Sequence, residues 1–228
     1  MIAKKNNILV VVAHPDDETL GLGGTIAWHV DNGDVVYCLS MTDGLGARGK
    51  ESKKEIKIRA QASINAGKIL GLTWIEGGSF PDNAMDSVPL LEVANVIEKA
   101  KSLVGPNIVY THSSADLNVD HQVVSHATLI AFRPQPNEVW EEIRTFEIAS
   151  ATDYGHKSIT NTFYPNLYIN IKQTWDKKLA ALNEYNMEMR EAPHTRSYEG
   201  LENLARYRGN QVGLYYAEAF EIIRKIHR

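Results

Sequence analysis

Ile8-Leu9-Val10-Val11-Val12-Ala13 is a run of six apolar residues with no polar position to turn toward water. Half of the run is valine. A strand of this kind is buried on both faces, which is the environment of a parallel sheet covered by helices on each side. The run passes directly into His14-Pro15-Asp16-Asp17-Glu18. Open α/β sheets bind their ligands at the carboxyl ends of strands, so four metal-binding or proton-handling side chains stand where such a fold places its chemistry. With a helix starting there, His14 and Asp17 are three residues apart and share one side of its first turn, while Asp16 points about 100° away. That spacing supplies two metal ligands and a separate carboxylate to act on a bound water. The alternative is a Pro-Asp turn whose acidic residues cap a helix N-terminus.

The rest of the chain repeats the strand–helix alternation. A helix is expected over Thr19–Val30, with Gly21, Gly23 and Gly24 marking close backbone approach to the sheet or to a ligand. Asp34–Met41 reads as a second strand, followed by the glycine-rich loop 42–49. Ser52, with Glu55 three residues on, forms a capping box for a helix that Gly71 ends. Thr73–Ile75 reads as a short strand, 77–89 as a polar loop, Leu90–Val104 as a helix and Ile108–Thr111 as a strand. A helix follows over 120–132. This pattern predicts one Rossmann-like α/β domain over residues 1–228, a mostly parallel sheet flanked by helices. Beyond it, Thr145–Ala149 and Leu167–Ile171 read as edge strands, and Gln173–Met189 and Tyr215–Ile226 as helices.

Bulk properties narrow the function. The net charge of −4 leaves no basic footprint for nucleic acid or an anionic membrane. No 18-residue apolar span or signal-peptide core is present. Cys38 is the only cysteine, so no intrachain disulfide or thiolate zinc cluster can form. These limits fit a cytoplasmic enzyme of bacterial type.

A catalytic zinc takes three protein ligands and leaves a position for water. After His14 and Asp17, the third must come from another strand end. The segment His112-Ser-Ser-Ala-Asp116-Leu-Asn118-Val-Asp120-His121 follows the strand at 108–111 and offers two histidines. His121 is the better placed, at a helix start beside Asp120, which can orient it from behind; His112 lies closer to the strand as a core or rim histidine. His194 stands in a loop as a candidate substrate contact. A His₂Asp donor set suits Zn²⁺, with Fe²⁺, Co²⁺ or Mn²⁺ as substitutes.

The strand followed by His-Pro-Asp-Asp-Glu and the later Asp-Leu-Asn-Val-Asp-His resemble the PIG-L/LmbE-like zinc-dependent N-deacetylases. The resemblance continues at Arg59, Ala66 and Leu70-Gly71, then at Pro193-His194-Thr195-Arg196-Ser197, 206–209 and 216–220. It implies an LmbE-like fold, a metal held by His14, Asp17 and His121, and Asp16 as general base on its water. The implied reaction removes an acetyl group from an N-acetylglucosamine-type conjugate, a small-molecule substrate. Many members of that family carry a histidine three residues before the metal-binding one; this chain has Asn118, which can donate to an oxyanion but cannot act as an acid. Arg48 in the glycine-rich loop, Arg59, His194 and Arg196 are candidates to hold substrate hydroxyls or an anionic aglycone. Two other readings compete: hydrolysis of a non-sugar amide or ester, and a catalytically silent sugar-binding protein. Asp16 argues against the second, since a structural metal site has no use for a non-ligating carboxylate. Homo-oligomerisation is compatible with all of them.

Overall fold

The computed structural model describes residues 5–44, 53–157 and 162–227. Among these, seven strands form one sheet: β1 (Asn7–Val12), β2 (Val35–Ser40), β3 (Thr73–Trp74), β4 (Ile108–His112), β5 (Glu142–Phe146), β6 (Leu167–Asn170) and β7 (Ala217–Lys225). Their order is β3-β2-β1-β4-β5-β7-β6. Strands β3 to β5 run parallel, and β7 runs antiparallel to both of its neighbours. Six helices accompany them: α1 (Asp17–Asp31), α2 (Lys53–Leu70), α3 (Leu90–Val104), α4 (Val119–Ala131), α5 (Trp175–Glu184) and α6 (Tyr198–Asn210).

Strand β1 shows why the apolar run has no alternation. Ile8, Val10 and Val12 pack into a core with Leu20 and Ile26 of α1, Ala62 and Ala66 of α2, and Leu182 of α5. Leu9, Val11 and Ala13 pack on the other face with Val93 and Ile97 of α3 and Val124 and Ala127 of α4. Every side chain of the run is therefore buried, as a strand covered on both faces requires. The sheet is doubly wound, and its order reverses between β1 and β4. At such a switch point the flanking crossovers leave on opposite faces, and a crevice opens at the carboxyl ends of those two strands. The early glycines serve packing against the sheet: a Cβ on Gly21 would lie 2.5 Å from the Phe146 ring, and one on Gly24 2.8 Å from Ile171.

The carboxyl-terminal third departs from the sequence reading. The segment 215–226, expected as a helix, holds strand β7 (Ala217–Lys225) instead. Ala and Glu favour helix locally, but pairing with β5 and β6 outweighs that preference, and Glu218 is buried there by the Lys178 ammonium at 2.6 Å. Helix α6 was not anticipated, although Ser197 caps it by accepting the Gly200 N–H and Leu201, Ala205 and Gly209 form its buried stripe. The strand expected at 145–149 lies at 142–146 and is internal, between β4 and β7. Glu142 and Arg144 disguise it; they are neutralised in place by their mutual ion pair at 2.6 Å and by the Tyr110 hydroxyl. The helix expected over 173–189 ends at Glu184, with a single 3₁₀ turn at Asn186–Glu188.

Glu218 ties three elements together, accepting the Gly24 and Thr25 N–H groups of α1 and the ammonium of α5. Glu218→Ala leaves a buried ammonium and two amides without that acceptor. It should lower unfolding stability by about 3–5 kcal/mol, the cost of breaking a buried pair, measured by urea denaturation. A loss under about 1 kcal/mol would contradict this role.

Candidate active site

Two loops build the site, one from β1 into α1 and one from β4 into α4. In the first, the Ala13 N–H donates to His112 Nε2 at 3.0 Å, tying β1 to β4 at the switch point. Asp17 Oδ2 accepts the His14 backbone N–H at 2.9 Å. Between them Asp16 adopts φ 136° and ψ −28° just before the helix begins, a conformation that costs a non-glycine residue on the order of 1–3 kcal/mol. Asp16 and Asp17 do face different ways, but through this backbone reversal and not through helical phase. In the second loop, Asn118 Oδ1 caps α4 by accepting the Asp120 and His121 N–H groups, which seats His121 at the crevice floor.

His14 Nδ1, Asp17 Oδ2 and His121 Nε2 form a near-equilateral triangle with sides of 3.2, 3.3 and 3.3 Å. A tetrahedral ion with bonds of about 2.0–2.1 Å to nitrogen and oxygen has donor–donor edges of about 3.3–3.4 Å. The donor set thus fits a zinc-sized ion in both chemistry and spacing. Each histidine has a carboxylate close to its other nitrogen, the side from which metal-ligating imidazoles are commonly supported. Asp116 Oδ2 lies 3.0 Å from His121 Nδ1. Asp120 Oδ2 and Asp82 Oδ1 each lie 3.1 Å from His14 Nε2.

Asp120 was expected behind His121. Its backbone leads His121 into the helix, but its carboxylate turns toward His14 and is held there by the Asn83 and Met85 N–H groups at 2.6 and 3.0 Å. Asp116 takes the anticipated place. The signal for Asp116 was its position between strand and helix, five residues before His121; Asp82 lay in a loop readable as ordinary turn chemistry. His112 is fully buried and stacks on His121 with ring centroids 3.9 Å apart. Its Nε2 already accepts from Ala13, and it supports the site without joining the triangle.

The cavity over the triangle has a volume of about 320 Å³ and reaches Asp16, Arg59, Asn118, Ser150, Glu188 and Arg196, at the lower end of small-molecule sites. Asp16 Oδ2 lies 3.9 Å from Arg59 Nη2 and 3.8 Å from Arg196 Nη1. Arg59 is held by Glu188 at 3.0 Å, and Arg196 by Ser150 Oγ at 3.1 Å. His194 stands behind Arg196: its Nδ1 accepts the Arg196 N–H, and its ring meets Tyr154 edge-on. It is not among the residues that line the cavity. Arg48 lies outside the described residues.

Burial opposes charge throughout this cluster, and its members answer differently. Desolvation and the Asp17 charge push the Asp16 carboxyl up to about 6 against the pull of Arg196 and Arg59. Asp17 is held well below the carboxylate range, its burial cost outweighed by His121 and His112. The charges of Asp17 and Asp116 overcome burial at His121 and raise it to about 9, and Asp120, Asp17 and Asp82 do the same for His14. His112, with burial and His121 both against protonation, falls to about 4. The carboxylates that raise the two histidines also attract a cation, whose binding would displace the histidine protons. Asp16, beside them, is set near the range of a working base.

A family model described as PIG-L, GlcNAc-PI de-N-acetylase, matches residues 9–132, from β1 through α4 and including both loops that carry the donor triangle. The chain belongs to the PIG-L family. Among its relatives is a diacetylchitobiose deacetylase of Thermococcus kodakarensis, 26% identical over 225 residues, which cover 95% of this chain and 82% of the relative. Another is a 4-oxalmesaconate hydratase of Pseudomonas putida, 27% identical over 202 residues, 80% of this chain and 74% of the relative. In fold, this PIG-L chain is similar to the N,N'-diacetylchitobiose deacetylase of Pyrococcus horikoshii, with a TM-score of 0.74 at 22% identity over 95% of this chain and 83% of that one. No helix among the described residues of the PIG-L chain is long and apolar enough to cross a membrane.

Proposed function

We propose that the protein is a zinc-dependent hydrolase that removes the acetyl group from an N-acetylglucosamine-type sugar conjugate. The observation that carries this reading is the donor triangle of His14, Asp17 and His121 with a non-ligating carboxylate, Asp16, beside it. Deacetylases among the relatives support the reaction and the substrate class. Zinc bound in the triangle would polarise the amide carbonyl and acidify the attacking water; Fe²⁺, Co²⁺ or Mn²⁺ would also suit these ligands.

The chain's own groups do the rest. Asp16 takes the proton of the attacking water, and Arg59 and Arg196 steady its carboxylate. Asn118 spends its oxygen on the α4 cap and donates one amide hydrogen to Asn83 Oδ1 at 3.3 Å, which leaves its second amide hydrogen as a donor at the cavity wall. It donates to the developing oxyanion. With no histidine there, Asp16 returns the proton to the leaving amine. Asp120 fixes His14, Arg48 and Arg196 contact the sugar or its aglycone, and His194 supports the Arg196 loop.

The test is acetate release from N,N'-diacetylchitobiose and from other N-acetylglucosamine conjugates by the zinc-loaded protein. The hydratase relative, together with two guanidiniums in the cavity, favours one alternative: addition of water to an unsaturated polycarboxylic acid. Turnover of such an acid without acetate release from any N-acetyl sugar would select it. Arg196→Ala should lower kcat/KM about tenfold, or about 1.4 kcal/mol of transition-state stabilisation, with zinc content unchanged. Steady-state kinetics equal to wild type would remove Arg196 from the reacting end.

A further inference from the structure

The strained peptide of Asp16 is held by a buried clamp outside the metal triangle. Glu18 is fully buried and points away from the cavity, although it belongs to the same pentapeptide as the ligands. Its Oε2 accepts the Asp16 backbone N–H at 3.0 Å. Its Oε1 accepts the Thr19 hydroxyl at 2.6 Å and the Tyr185 hydroxyl at 2.9 Å. Tyr185 arrives from the end of α5, 167 residues away in sequence, and is itself buried. From the other side, the Asp16 carbonyl accepts the Thr19 and Leu20 N–H groups. The Asp16 peptide is thus fixed at both ends while its φ lies at 136°.

We propose that Glu18, braced by Tyr185, is a positioning residue that holds the Asp16 backbone in its strained conformation and so aims the Asp16 carboxylate between Arg59 and Arg196. A residue in this φ region relaxes to negative φ unless its surroundings over-determine it. Ordinary helix capping does not need that strain: a relaxed Asp16 would leave α1 intact and swing the carboxylate away from the two guanidiniums. A buried carboxylate is also an expensive way to cap one helix. The relay from Tyr185, at the end of α5, through Glu18 to the Asp16 amide has a use if the conformation of that one residue matters to the reaction. This inference rests on Asp16 being the base, as proposed above.

The test compares Glu18→Met, which keeps length and removes the acceptor, with Glu18→Gln, whose amide oxygen can accept the Asp16 N–H while its NH₂ donates to the two hydroxyls. In a crystal structure of Glu18→Met, Asp16 should leave positive φ and its carboxylate should leave the guanidinium pair; retention of φ near 136° would overturn the proposal without any assay. With zinc-loaded protein and N,N'-diacetylchitobiose, Glu18→Met should lose at least about tenfold in kcat with KM and zinc content near wild type, and Glu18→Gln should recover most of that loss. A cap with no positioning role would lower thermal stability and leave kcat alone. Asp16→Asn is run in parallel. If it is slow and Glu18→Met adds nothing to it, the two act as a unit. If it is slow while folded, zinc-loaded Glu18→Met turns over normally, the clamp is wrong and the base assignment stands. If Asp16→Asn is itself fast, the base assignment fails and takes the clamp's purpose with it. Should Glu18→Met not fold, Tyr185→Phe carries the test: it removes the brace alone and should lower kcat about threefold or more at constant KM, and wild-type kcat there would overturn the proposal.

Discussion

Asp16→Asn is expected to lose N-deacetylase activity by roughly 10²-fold or more, the usual scale for a general base, while keeping its zinc and its fold. The substitution preserves size and nearly preserves shape. It replaces one carboxylate oxygen by NH₂ and removes the negative charge that Arg59 and Arg196 face at 3.9 and 3.8 Å. Asp16 lies outside the donor triangle, so metal content should not change. The measurement is kcat for acetate release at matched zinc occupancy, with circular dichroism as a check on the fold. Near-wild-type turnover would leave Asp16 without a chemical role and remove the strongest argument against a silent binding protein.

The second large effect concerns the metal. His121→Ala removes one vertex of the triangle and leaves Asp116 facing a gap. Two remaining donors do not make a catalytic zinc site, which takes three protein ligands. Zinc content after dialysis should fall from about one ion per chain to a small fraction of that, and acetate release should fall with it. His112→Ala, by contrast, removes a stacked neighbour that already accepts the Ala13 N–H, so zinc should be weakened and not lost. Equal zinc loss in both variants would put His112 among the ligands.

The first half of this architecture was legible because each element there announces itself locally. Six apolar residues buried on both faces admit little but a central parallel strand, and the histidine-bearing turn after them marks the crevice. The glycines that press α1 onto Phe146 and Ile171 follow the same local logic. The carboxyl-terminal third was not legible in that way. Strand β7 has a helix-forming composition, and only its pairing with β5 and β6 and the Lys178–Glu218 contact make it a strand. In the site, the residues of the donor triangle were picked out by spacing and resemblance, and the structure brings their donor atoms together. The roles of Asp116, Asp82 and Glu188 depend on contacts across 5, 68 and 129 residues of sequence, and a single chain read alone gives no means of pairing them. Asp120 illustrates the limit: adjacent to His121 in sequence, it serves His14 because two loop amides at Asn83 and Met85 pull its carboxylate the other way.

The most direct test of the whole account is reconstitution. Protein stripped by a chelator should release no acetate from N-acetylglucosamine conjugates that the zinc-loaded enzyme cleaves, and one equivalent of zinc per chain should restore release in the wild type but not in His121→Ala. Acetate release that persists in fully metal-free protein, or zinc-loaded protein that cleaves no N-acetyl sugar, would contradict it.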